Sequence, residues 1–165
     1  ILEQYFLGKT FASGIFEDRF GNVRRQFTVD IDGTWDGKTL TLTEDFIFGD
    51  GETETRVWSI EKIAPASYVG TADDVIGSAK GIVSGNTLNW KYDMRLKGGG
   101  SKDQVHFDDW MFLQPNGVLI NKATVSKLGL DIGRVTIAFT KKADADFLST
   151  ISSTNKEPLV ATLAR

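Results

Sequence analysis

The sequence contains no cysteine and only one histidine, His106. The lack of cysteine excludes disulfides, thiolate metal sites and cysteine nucleophiles. A metal site with several histidines is excluded too, and a Ser-His-Asp triad would have to use His106. We therefore predict no metal and no cofactor, and we assign no catalytic residue.

The chain also lacks a strong excess of charge and a long apolar run. Its 165 residues include 19 Lys and Arg against 22 Asp and Glu, which gives a formal net charge of −3. Nucleic-acid binding needs a basic face for the phosphates, so nucleic acid is not an expected partner. No apolar run approaches the roughly 18 residues of a membrane-spanning helix.

What the sequence does contain is alternation of apolar and polar residues, which is typical of strands with one buried face. The segment 86–96 (NTLNWKYDMRL) is the clearest case, because Leu88, Trp90 and Tyr92 share one face and polar residues occupy the other. Asp-Gly and Asn-Gly dipeptides, which favour tight hairpin turns, separate such segments.

Nine or ten such strands, joined almost only by tight turns, predict an all-β fold. No segment before Ala143 has helical periodicity, and parallel strands need long crossovers, so the strands are expected to be antiparallel. A sheet of this many strands tends to close on itself. We therefore predict an antiparallel up-and-down barrel of the lipocalin or calycin type over residues 1–142, with a sandwich as the alternative. Residues 143–165 would form a C-terminal tail or a short helix.

The run HFDDWMFL, residues 106–113, places two adjacent carboxylates among aromatic side chains. Neighbours on a strand point to opposite faces, so Asp108 and Asp109 cannot form a catalytic dyad by themselves. One of them is expected to face the interior, where an acid needs a partner. We predict a buried polar cluster that contains Arg56 and one of these two acids.

Candidate ligand-binding residues are the charged side chains expected inside and the aromatic side chains that would line a cavity. They are Arg19, Arg56, Trp58, Trp90, Tyr92, His106, Asp108, Asp109 and Trp110. The charged members form either a structural network or an anchor for a ligand. Barrels of about eight strands can be filled or can hold one small ligand, and a tenth strand would favour a cavity.

Three functions are compatible with these residues. The first is a binding module, in which Arg56 or Arg19 meets an anionic head group and the aromatic residues contact its apolar chain. The second is a structural or interaction protein with a filled barrel. The third, ranked last, is an enzyme that uses His106 with Asp108 or Asp109 as acid and base.

Several long motifs, among them YVGTADDVIGSAKG, NTLNWKYDMRL and VHFDDWMFL, resemble an uncharacterised family of Gram-negative envelope proteins with a domain of unknown function. The resemblance covers about Tyr5 to Lys141. It implies a lipocalin-like barrel, a periplasmic location and a lipid anchor on a cysteine upstream of this chain. It implies no reaction. The motif positions that match are Asp18, Arg19, Arg56, Trp58, Asp73, Asp74, Asp108, Asp109, Trp110, Asn121 and Lys127.

Overall fold

Ten antiparallel strands follow one another in the computed structural model, which describes residues 1–97 and 103–141. Each strand pairs with its neighbours in the chain, and β1 also pairs with β10, so the sheet closes into a barrel without a free edge. The strands are β1 (Gly8–Asp18), β2 (Val23–Trp35), β3 (Thr39–Phe48), β4 (Thr53–Ala64), β5 (Ser67–Thr71), β6 (Val75–Ser84), β7 (Thr87–Arg95), β8 (Gln104–Leu113), β9 (Leu119–Lys127) and β10 (Leu130–Thr140).

The alternation seen in the sequence sets the two faces of the barrel wall. On β7, Leu88, Trp90 and Tyr92 are buried in the interior, and the intervening Lys91 is exposed. Because successive side chains of a strand point to opposite faces, one apolar face per strand is enough to build a common core. The predicted up-and-down barrel is confirmed, with ten strands.

The turns follow from local chemistry. At the β2–β3 turn, the carboxylate of Asp36 accepts hydrogen bonds from the backbone N–H groups of Lys38 (2.9 Å) and Thr39 (2.7 Å). Gly37, which lies between Asp36 and Lys38, has a φ of 101°, a left-handed conformation that favours glycine. An Asp-Gly pair therefore fixes where β2 ends and β3 begins.

One short helix precedes the barrel, in a part of the chain where the sequence shows no helical periodicity. It is α1 (Leu2–Phe6), a single short helix whose Leu2 and Phe6 enter the core. The ring of Phe6 packs edge-on against Phe139, with centroids 5.6 Å apart. A helix of five residues is too short to show a repeating apolar pattern, so its stability comes from this packing.

Polar contacts fix α1 across one end of the barrel. Glu3 accepts hydrogen bonds from Lys62 Nζ (2.6 Å) and from the Tyr68 hydroxyl (2.7 Å). The Tyr5 hydroxyl donates to the backbone oxygens of Gly117 (2.9 Å) and Phe139 (3.1 Å). The helix thus closes this end of the barrel, which we call the closed end.

The described part of the chain contains no helix that is long and apolar enough to cross a membrane. The predicted C-terminal tail or helix, residues 143–165, lies outside the described residues.

Candidate functional site

The interior of the barrel is not completely filled by side chains. A cavity of about 460 Å³ extends from Leu2 and Phe6 at the closed end to Arg25, Glu52 and Lys97 near the opposite, open end. Barrels with more than about eight strands have an interior wider than side chains alone can fill. Ten strands with one end closed by α1 therefore produce a cup with a single mouth.

Two aromatic clusters form much of the cavity wall. Phe27, Phe46 and Phe48 lie on β2 and β3, with ring centroids 5.8 to 6.0 Å apart. The other cluster lies on β4, β7 and β8, where Trp58 packs edge-on against both Trp90 and Tyr92, and Tyr92 stacks on Phe107. Such a wall offers apolar and π surfaces to a guest molecule.

Two glycines determine the position of Trp90. A Cβ atom at Gly70 would lie 2.6 Å from Trp90 Cζ2, and a Cβ atom at Gly81 would overlap the other side of the indole. The indole therefore lies directly on the backbone of β5 and β6, at positions where any side chain would collide with it. The glycine-rich segments of the sequence thus provide space for an aromatic wall residue.

A group of polar side chains, which we call the polar cluster, lies within this apolar interior. Its only cation is Arg56 of β4, which donates two hydrogen bonds to Asp74 Oδ2, from Nε (3.1 Å) and from a terminal nitrogen (2.7 Å). The guanidinium also lies 5.6 Å from the centre of the Phe46 ring. The members of the polar cluster are Glu44, Arg56, Asp74, Asp109 and Asn121.

Asp109 and Asn121 form a second pair within the polar cluster. They are 6% and 2% exposed, and Asn121 Nδ2 donates to Asp109 Oδ2 over 3.1 Å. The remaining oxygens, Asp109 Oδ1 and Asn121 Oδ1, are buried without a hydrogen-bond partner, as is Asp74 Oδ1. Buried acceptors without partners are rare in folded proteins and are often a sign of function.

Burial dominates the proton affinity of two acids in the polar cluster. It raises the pKa of Glu44 to about 7, although Arg56 and a hydrogen bond from Trp58 oppose the shift. Burial likewise raises the pKa of Asp109 to about 7, against the hydrogen bond from Asn121 and the charge of Arg56. Both acids can therefore gain or lose a proton near neutral pH.

Five of the predicted site residues lie together in the cavity. They are Arg56, Trp58, Trp90, Tyr92 and Asp109. The prediction of a buried polar cluster with Arg56 and one of the two acids is confirmed, and the inward acid is Asp109.

The other four predicted residues lie outside the cavity. Arg19 is an exposed residue of the β1–β2 turn, where its guanidinium lies over the Phe20 ring. His106, Asp108 and Trp110 are on the outer face of β8, because Val105, Phe107, Asp109 and Met111 take the inner face.

The outward residues of β8 have surface partners of their own. His106 Nδ1 lies 2.8 Å from Asp93 Oδ1, and Asp108 accepts from Asn89 Nδ2 (2.7 Å) and pairs with Lys91 (3.2 Å). Trp110 is 44% exposed. His106 and Asp109 therefore lie on opposite sides of the barrel wall, so the expected acid–base convergence of these residues does not occur.

Sequence reasoning missed Glu44 as a site residue. It lies on the inner face of β3 between Leu42 and Phe46, so the signal was a single acid within an apolar alternating face. Asp74 and Asn121 were among the motif positions that match the family, but the sequence did not show that they lie in the cavity. Asp74 enters the polar cluster from the β5–β6 turn, across the barrel from Asn121 on β9.

The polar cluster offers hydrogen-bond acceptors and does not resemble a metal centre. Among residues 1–97 and 103–141, no group of three or more His, Cys, Asp or Glu side chains is placed to hold a metal ion. What the arrangement offers is a set of buried acceptors beside aromatic rings.

Solved structures of other proteins are similar to this chain to different degrees. The S-type phycobiliprotein lyase CPES from Guillardia theta matches with a TM-score of 0.60 at 6% identity, over 86% of this chain and 92% of the lyase chain. A redesigned β-barrel, mFAP1, bound to DFHBI, matches with a TM-score of 0.42 at 9% identity, over 84% and 97%. EF1p2_mFAP2b bound to DFHBI gives 0.43 at 8%, over 84% and 95%. At such identity the likeness to the lyase concerns the fold alone.

Sequence comparison gives a family but no characterised relative. None of the curated proteins matches the chain significantly. A family model matches residues 1–141, which include the whole segment that carries the resemblance noted from the motifs. The chain therefore belongs to a family of proteins of unknown function, DUF3833.

Proposed function

We propose that the protein binds one small hydrophobic or amphipathic molecule inside its barrel, with a lipid as the leading class. The observation that carries this proposal is the cavity of about 460 Å³, open at one end and walled by aromatic side chains. Pockets for small molecules typically measure roughly 300–1,000 Å³ and are apolar with a few placed polar groups. The aromatic clusters and the polar cluster match both parts of that description.

The two other functions considered from the sequence have less support. A filled barrel would leave only the outer surface for function, but this barrel contains a cavity. An enzyme that uses His106 would need that side chain near the cavity, and it lies on the outer face of β8 beside Asp93. Binding is therefore the function that the geometry favours.

We further propose that the barrel acts at the periplasmic side of a bacterial envelope, held there by a lipid anchor upstream of this chain. The support is the resemblance of the motifs, and fractionation of cells that express the full-length protein tests it. Recovery with the membranes, and release when the lipidated cysteine is replaced, is the expected result. Recovery in the cytosol would contradict the proposal.

Native mass spectrometry tests the binding proposal. The protein would be purified from a Gram-negative envelope, weighed intact, and then denatured so that any released molecule is identified. We expect one hydrophobic or amphipathic molecule per barrel. A ligand-free mass, together with no uptake from mixed lipid micelles, would contradict the proposal.

Two matched variants connect the bound molecule to the cavity. Ala123 on β9 is buried and lines the cavity, whereas Ala138 on β10 is exposed on the outer face. Ala123→Leu adds volume inside the cavity and should weaken binding about tenfold, which corresponds to about 1.4 kcal/mol. Ala138→Leu adds the same atoms outside and should leave binding unchanged.

A further inference from the structure

The polar cluster has more hydrogen-bond acceptors than donors. Arg56 donates two hydrogen bonds to a carboxylate, and both go to Oδ2 of Asp74. The side-chain amide of Asn121 donates to Oδ2 of Asp109. Asp109 Oδ1 and Asn121 Oδ1 remain buried and without partners. When Asp109 is ionised, the pair lacks a donor for these two oxygens, and both side chains line the cavity from which a donor can arrive.

The charge balance of the polar cluster also favours a positively charged donor. Three carboxyl groups, those of Glu44, Asp74 and Asp109, face a single guanidinium, and that guanidinium is already paired with Asp74. An anionic head group would meet an occupied cation and two further acids. This disfavours the anionic head group that the sequence suggested for Arg56.

We propose that the cavity selects amphipathic amines, whose ammonium group pairs with the Asp109 carboxylate while the apolar part lies against the aromatic walls. This inference rests on the proposed function and names the ligand class for the same cavity. An ammonium group supplies up to three donors and a positive charge, whereas an alcohol supplies one donor and no charge. The Asp109 carboxylate can turn toward the guest, because its terminal torsion is soft.

Two neighbouring features suit the same ligand. Asn121 and Glu44 provide further acceptors at the level of Asp109, since the charges of Glu44 and Asp109 act on each other across the barrel. The rings of Tyr92 and Phe107 stack beside them, and aromatic faces attract cations when water is excluded. A carboxylate or phosphate would gain none of these contacts.

The amine is expected to bind more tightly as the pH rises from 6 to 8. An alkylammonium keeps its proton over this range, while Asp109, whose pKa is raised to about 7 chiefly by burial, becomes ionised. Among the described residues, the titratable and charged groups that interact with Asp109 include Arg56 of β4, Glu44 of β3, Tyr92 of β7, and Asp108 and His106 on the outer face of its own strand.

The experiment compares three probes of equal chain length, n-octylammonium, 1-octanol and octanoate, by isothermal titration calorimetry at pH 8. We expect octylammonium to bind about 10- to 100-fold more tightly than octanoate, in line with one charge-assisted hydrogen bond in a buried site. Octanol should lie between the two. At pH 6 the advantage of the amine should shrink about tenfold.

Two adjacent acids provide matched variants. Asp109→Asn removes the inward charge and keeps the shape, so it should lower octylammonium affinity at least about tenfold and change octanol affinity by less than about twofold. Asp108→Asn makes the same change on the outer face and should alter neither. Urea unfolding of both variants verifies that each is folded.

The outcomes separate this inference from the function on which it rests. If octanoate binds as tightly as octylammonium, or if Asp109→Asn keeps the preference for the amine, the amine proposal is overturned and the cavity remains a binding site. If none of the three probes binds and no molecule is found in the purified protein, both proposals fail.

Discussion

Buried carboxylates occur in two regions of this barrel, and their surroundings are opposite. At the closed end, both oxygens of Glu3 are used by Lys62 and Tyr68, and these hydrogen bonds lower its pKa although burial would raise it. In the cavity, Asp109 has one partner only, and burial raises its pKa to about 7. The closed end is built for stability. The cavity keeps unused polar atoms at a cost in stability, which is typical of sites that await a ligand.

The largest effect is expected where apolar packing holds the closed end. Phe6→Ala should lower the free energy of unfolding by about 3–5 kcal/mol, because the ring is 4% exposed and packs against Phe139. Phe46→Ala in the cavity wall should cost about half as much, since one side of that ring already faces open space. Urea unfolding measures the free energy of unfolding of both variants. Equal losses would contradict the claim that the closed end is more tightly packed than the cavity wall.

The next effect concerns Asp109 and pH. The unfolded chain releases this proton near the ordinary value of 3.8 and the folded protein near 7, so the folded state binds more protons between these values. Stability therefore falls as the pH rises through that window. Asp109→Asn removes this loss, so its stabilising effect should be about 2–3 kcal/mol greater at pH 8 than at pH 5, from two pH units at about 1.4 kcal/mol each.

Unfolding free energies of wild type and variant at the two pH values check this prediction. Asp108→Asn, on the outer face of the same strand, is the control and should show no such difference between pH 5 and pH 8. A difference of the same size in both variants would show that the pH dependence of stability does not come from the buried carboxyl group of Asp109.

The paired acid at the closed end should behave in the opposite way. Glu3 has a lowered pKa, so its contribution to stability is present above its unfolded value of 4.5 and is lost as the pH falls through the folded value. Glu3→Gln should cost about 1–2 kcal/mol at pH 7 and less at pH 3. Thermal melts at both pH values measure this, and a cost that is independent of pH would contradict the proposed pairing.

The smallest effect is expected on the outer surface. His106→Ala removes the contact with Asp93, in which both side chains are about half exposed. Exposed ion pairs contribute little, so stability should change by less than about 0.5 kcal/mol. Uptake of octylammonium should also be unchanged. Loss of octylammonium binding in this variant would show that His106 contributes to the binding site.

Much of the barrel was predictable because period-two alternation is a local property of the chain. The inner face of β7 followed from Leu88, Trp90 and Tyr92 without any knowledge of partners. The same held for Arg56 and Trp58 on β4, which alternate with exposed residues. Where one face of a strand is apolar and the other is polar, burial leaves a single orientation.

The strand β8 shows where that reasoning fails. Both of its faces carry large apolar groups, Phe107 and Met111 on one and Trp110 and Phe112 on the other. Alternation alone gives the two faces equal weight, so the predicted site residues came from both. Asp109 lies on the inner face, and His106, Asp108 and Trp110 lie on the outer face. Only the register of β8 with β7 and β9 decides that Asp109 points inward.

The sequence by itself determined that the chain forms antiparallel strands and that tight turns join them. These features depend on interactions between neighbours along the chain, which alternation and turn residues encode. The tertiary structure alone decided that α1 closes one end, that ten strands leave a cavity, and that Glu44, Asp74 and Asp109 face Arg56. The physical reason is that these residues come from different strands and turns, so their proximity is set by barrel closure and not by their spacing in the chain.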